Sequence, residues 1–167
     1  MKKTTSPLLC LCLCLCTLLT SCGAQNAQIT TKYTPMQITQ IIIAAQRDAP
    51  PLTPLTPGDD LYDEYIESNY QLDADNIEDG VICYAIGVEA TEITILLLNN
   101  NADAKKTAEA LENYKDRRIS ALIGYVPDQA DLVQQGIVVT QGPYAALLIC
   151  ADAKQAKYSI SAILPPG

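Results

Sequence analysis

Four groups of residues in this chain are of types and spacings that could do chemistry. The first is Leu19-Thr20-Ser21-Cys22, which closes an apolar run that begins after Lys2 and Lys3. Small residues before a cysteine at the end of such a run form a cleavage point whose thiol can take a diacylglycerol. At about 0.8 kcal/mol per buried methylene, two or three acyl chains make a durable anchor. The second group is Asp73, Asp75, Asn76, Glu78 and Asp79 before Gly80, a crowd of hard oxygen ligands of the kind calcium takes. It departs from an EF-hand loop, because Ile77 stands where a ligand is required and Glu78 where glycine is required, so a solvated acidic turn is the expectation.

The third group is Tyr125 and Tyr144 near a Gln141-Gly142 turn, with Arg117 and Arg118 at the end of a long helix. Tyrosine with arginine could hold a sugar ring or a carboxylate at a sheet edge. The plainer reading is core tyrosines with wet hydroxyls and cations placed favourably at a helix C-terminus. The fourth is Glu89 with Glu92, conceivable as the acid and base of a glycosidase but expected to be exposed carboxylates on a hairpin turn. No histidine occurs anywhere. That excludes Ser-His-Asp and Cys-His catalysis and imidazole metal ligation, and no cofactor or metal is expected. Walker-type, G-x-G-x-x-G, G-x-S-x-G and paired C-x-x-C patterns are missing as well.

Residues 1–21 read as a removable signal peptide, since the run from Pro7 to Leu19 is shorter than the roughly 20 apolar residues of a spanning helix. Residues 22–33 are polar without a clear period and read as a lipidated tether with a reach of roughly 18 Å. Residues 34–164 are the right size for one globular domain. Without the signal, nine basic residues face nineteen acidic ones, a net charge of −10. Nucleic acid is therefore not an expected partner, and the membrane partner is reached through Cys22 rather than through a basic patch.

The elements follow from periodicity. Thr34-Pro35-Met36-Gln37 has the form of a capping box and opens a helix with Ile38, Ile41, Ile42 and Ala45 on one stripe, stopping by Ala49. The four prolines between Pro50 and Pro57 predict an extended surface loop. The segment from Asp59 to Asp79 holds nine acidic residues and no basic one, and predicts a short helix with Leu61, Tyr65 and Ile66 inward. Residues 81–86 and 92–98 predict a hairpin, residues 102–122 a long helix ended near Gly124, and residues 128–135 a shorter one. A second hairpin follows over 137–140 and 144–150, and Asp152 caps a last helix. The fold class expected is α+β, with a four-stranded, mainly antiparallel sheet from two hairpins packed with helices in the order α-α-β-β-α-α-β-β-α.

The two strands that are apolar on both faces, 93–98 and 145–150, belong in the centre, which predicts the order 1-2-4-3. That order puts Cys83 and Cys150 two strand spacings apart, about 9.5 Å and too far for a disulfide. The order 2-1-4-3 would make them neighbours and allow one.

From about Tyr70 to Leu164 the sequence resembles the bacterial lipoprotein family catalogued as domain of unknown function 4358. The residues that carry the resemblance are 125–133, from Tyr125-Val126-Pro127-Asp128 to Val133, then Val138-Val139-Thr140-Gln141-Gly142-Pro143-Tyr144, Leu147 to Cys150, and Asp152-Ala153. Pro143 departs from the asparagine usual there and removes a backbone donor from the turn. The resemblance implies a compact α+β domain on a lipid anchor at the outer face of a Gram-positive plasma membrane, and it carries no activity.

The functional expectation is a lipid-anchored surface lipoprotein whose domain binds a ligand or an envelope protein without turnover. Tyr125, Gln141, Gly142 and Tyr144 are its candidate face. The alternative is a carboxylate-dependent hydrolase of cell-envelope glycans.

Overall fold

The computed structural model describes residues 33–164. Cys22, the expected lipidation site, and the residues read as signal and, except Tyr33, as tether lie outside them. Thr34 opens the first helix, α1 (Pro35–Ala45), with both bonds of the capping box: Gln37 N donates to Thr34 Oγ1 (3.2 Å), and Thr34 N donates to Gln37 Oε1 (3.0 Å). The remaining elements are β1 (Leu52–Leu55), a single turn α2 (Tyr62–Glu64) continued by a π-helix (Tyr65–Tyr70), and a 3₁₀ turn (Ala74–Asn76). Then come β2 (Ile77–Ala85), β3 (Glu92–Leu98), α3 (Asp103–Leu122), α4 (Pro127–Gln135), β4 (Ile137–Gln141), β5 (Tyr144–Ile149) and α5 (Ala153–Ile163).

The class is α+β, but the sheet has five strands rather than four, all antiparallel, in the order β1-β2-β3-β5-β4. The added strand is β1, inside the proline-rich stretch read as a loop. An edge strand needs only alternate backbone donors, and this explains how Leu-Thr-Pro-Leu can pair. Ala85 N donates to Thr91 O, so the odd-numbered residues of β2 turn their backbone toward β3 and the even-numbered ones toward β1. Pro54 lies opposite Cys83 and so faces away from the sheet, where its missing N–H costs no ladder bond. The four strands of the two hairpins keep the expected order.

Both faces of the sheet are covered. α1 and α5 pack on one side through Ile38, Ile42, Ala156 and Ile160, against Val81, Ile95 and Leu148. The other side receives α2, the π-helix, α3 and α4 through Tyr62, Ile66, Tyr70, Leu111, Tyr114 and Val133, against Leu96 and Leu147. Every residue of β3 and β5 is consequently buried. Cys83 and Cys150 are both free and buried, and burial pushes each thiol up to about 11.

Tyr62, not Leu61, points inward from the acidic segment; Leu61 is exposed. The Tyr62 ring lies over Gly80, and a Cβ at Gly80 would collide with its hydroxyl. That hydroxyl is buried and finds no hydrogen-bond partner among the described residues. A buried unpaired hydroxyl costs about 1–3 kcal/mol, so Tyr62→Phe is expected to leave stability unchanged or raise it by up to that amount. Urea unfolding checks this, and a loss above about 1 kcal/mol would show a partner for the hydroxyl. Thiol titration of the denatured, unreduced protein is expected to count both Cys83 and Cys150.

Candidate functional site

Glu92 begins β3 and is 1 % exposed, although its place beside a hairpin turn suggests a wet carboxylate. It points to the α3 side of the sheet and meets four donors. Tyr70 donates to Oε1 at 2.6 Å. Oε2 receives Tyr114 at 2.8 Å, Tyr65 at 3.0 Å and the Arg118 guanidinium at 2.9 Å. Tyr65 and Tyr114 hydroxyls also lie 3.0 Å apart, and Tyr70 shares a 2.6 Å bond with Thr94 Oγ1. The rings pack edge to face, Tyr65 on Tyr70 at 5.3 Å and Tyr70 on Tyr114 at 4.8 Å between centroids.

Local structure explains how these groups converge. Tyr114 and Arg118 are four apart on α3, which places them on one face. Tyr65 and Tyr70 are five apart, a spacing that an α-helix of 3.6 residues per turn would spread by about 140°. The π-helix closes i→i+5 bonds, as from Gln71 N to Ile66 O, and so aligns residues five apart. Gln71 then ends it in the left-handed region at φ 58°.

Burial, and then the Glu92 charge, hold the hydroxyls of Tyr65, Tyr70 and Tyr114 well above the ordinary tyrosine range. Burial alone would lower the Arg118 guanidinium, but Glu92 and the surrounding tyrosines together raise it. All four donors remain protonated at neutral pH, and both carboxylate oxygens are occupied. Glu89 is exposed on the turn and makes no hydrogen bond to Glu92.

The expected face does not assemble. Tyr144 is buried, and its hydroxyl donates to Tyr33 O at 3.2 Å. Gln141 Nε2 donates to Leu164 O at 2.6 Å. The hairpin turn itself is Gly142-Pro143, with Gly142 at φ 56° as tight mirror-image turns require, and Pro143 O accepts from Leu98 N. Tyr125 is 80 % exposed but follows α3, whose 20 residues run about 30 Å away from that turn. Arg117 is taken by Asn69 O. Among the described residues no three acidic or cysteine side chains gather to hold a metal. Asp73 and Asp79 instead accept from the backbone of Asp75 and Gly80.

The end of the sheet that carries Glu92 also carries a cleft and several exposed apolar residues. A cleft of about 200 Å³ has a floor of Ile93, Leu132 and Cys150 and a rim of Arg47, Asp48 and Glu89. Ala90 N donates to Gln129 Oε1 at 2.8 Å, tying the β2–β3 turn to α4. Ile86 and Val88 on that turn and Ile123 and Tyr125 between α3 and α4 are all exposed.

Residues 52–150 match the family described as "Domain of unknown function (DUF4358)". The chain belongs to this family. The matched span of the DUF4358 domain contains all five strands and every member of the Glu92 network, whereas α1 and α5 lie outside it. No curated protein and no solved structure matches the chain.

Removing one partner of a buried ion pair costs about 3–5 kcal/mol, so Glu92→Ala is expected to destabilise by that amount. Tyr70→Phe deprives Oε1 of its donor and is expected to cost about 1.5–3 kcal/mol. Urea unfolding of both variants checks the network, and losses below 1 kcal/mol would discard it. The raised thiols and hydroxyls also set a pH limit. The native state keeps protons that unfolded cysteine, with an ordinary value of 9.0, and tyrosine, at 10.0, give up. Their contribution is complete below about pH 9 and is lost as pH rises. Urea midpoints between pH 8 and 11 should therefore fall on the alkaline side.

Proposed function

We propose that the chain is a lipid-anchored surface lipoprotein at the outer face of the plasma membrane, and that its domain is a non-enzymatic binding module for an envelope protein. The anchor rests on Leu19-Thr20-Ser21-Cys22 behind its apolar run. The binding reading rests on one observation, the cleft and the four exposed apolar residues gathered at one end of the sheet. Exposed Ile, Val and Tyr at a single end form the kind of patch that proteins use to meet other proteins. The described domain begins at Tyr33, bonded to Tyr144 at the opposite end, so the cleft lies on the end far from where the tether joins.

A metabolic palmitate label tests the anchor: incorporation is expected in the parent chain and not in Cys22→Ala, and equal labelling would discard it. A photocrosslinking residue at Val88 tests the binding end. It is expected to trap an envelope protein that the same probe on the exposed face of α1, at Gln40, does not. Equal trapping at the two positions would discard that end as the binding surface.

A further inference from the structure

The two edges of the sheet are finished differently. β1 is four residues long and carries Pro54, which blunts it. β4 contains no proline, and half of its backbone groups are unused. The bond from Leu98 N to Pro143 O fixes the alternation, so odd-numbered residues of β5 face β3 and even-numbered ones face β4. Ile137, Val139 and Gln141 lie opposite Leu148, Ala146 and Tyr144 and turn their N–H and C=O groups to β5. Val138 and Thr140 turn theirs outward, and no described residue takes them. Thr140 is exposed and Val138 half-buried.

The space beside this edge is open. Two shallow hollows of about 590 and 510 Å³ lie against β4, and Lys105 of α3 lines both. The charges along the groove are ordered. Lys105 lies by the Thr140–Gly142 end, and Glu109 and Glu112 join it in the hollow that reaches Val138; within the chain Lys105 lies 3.9 Å from Glu109, and Glu112 pairs with Lys115 at 2.9 Å. The Lys105 and Glu112 side chains are 88 % and 52 % exposed.

We infer that β4 pairs antiparallel with β4 of a second copy of this chain, about a two-fold axis through Val139. Val138 of each copy then lies opposite Thr140 of the other, and each such pair exchanges two backbone bonds. The same rotation turns the Lys105 end of one copy's groove toward the acidic Glu109–Glu112 end of the other's. The two five-stranded sheets become one continuous sheet with both β4 edges removed.

The test uses the chain from residue 22 onward with Cys22→Ser, so that only introduced thiols are accessible. Val138→Cys and Thr140→Cys variants are mixed under mild oxidation. Opposed residues here have Cα atoms about 5.5 Å apart, within disulfide reach. A linked dimer is expected from the mixture and not from either variant alone. Equal crosslinking of one variant with itself, or none in a mixture whose circular dichroism matches the parent, overturns the pairing. Sedimentation gives a second reading: Lys105→Glu or Glu112→Lys is expected to weaken the dimer about tenfold, and the two together to restore it. A parent chain that stays monomeric at every concentration overturns the inference and leaves the edge to a strand from another protein.

Discussion

Glu92 and Arg118 form an ion pair whose carboxylate side lies where almost no water reaches, and much of the domain is arranged to make that tolerable. An uncompensated charge at such a site would cost several kcal/mol, more than any single apolar contact returns. Compensation comes from three separate elements: the π-helix supplies Tyr65 and Tyr70, α3 supplies Tyr114 and Arg118, and β3 itself supplies Thr94 behind Tyr70. Each element is therefore fixed in rotation about its own axis by a bond with a defined direction, which apolar packing alone does not provide. The Arg118 guanidinium also lies 5.7 Å from the centre of the Tyr114 ring, so the cation is held by that ring as well as by the carboxylate.

The same constraint shapes the region where a partner would dock. Glu92 is next to Thr91 and one residue from Ile93, both of which line the cleft. Alternation along β3 sends the Glu92 side chain to the α3 face while Ile93 faces α1, so the Ile93 part of the cleft floor and the charged network are on opposite sides of one strand. The exposed apolar residues sit on the β2–β3 turn and the α3–α4 junction, which are tied through Gln129 rather than left as independent loops.

Much of this was legible from local patterns. The Thr34 capping box, both hairpins and the order of their four strands follow from residue types within a few positions of one another. The separation of Cys83 from Cys150 follows from that strand order. What escaped depends on distant partners. β1 hides behind prolines that ordinarily break strands, and only its place at an edge makes them harmless. Glu92 reads as a turn carboxylate because nothing nearby in sequence announces three tyrosines and an arginine. The five-residue spacing of Tyr65 and Tyr70 fits no α-helical face, and it is the one local signal that a π-helix leaves. Tyr125 lies far from Tyr144 because sequence gives the length of α3 but not which end of the sheet it reaches.

The strand order divides the chain in a further way. β1, β2 and β3 pair with neighbours in sequence, as do β4 and β5, and the single seam joining the two sets is β3 against β5, from Glu92–Ile149 to Leu97–Tyr144. Until residue 144 and those after it arrive, β3, which is buried along its whole length in the folded domain, has a bare edge. A chain emerging from its N-terminus thus carries its greatest hazard of misassociation late, and completion of one antiparallel seam removes it in a single step.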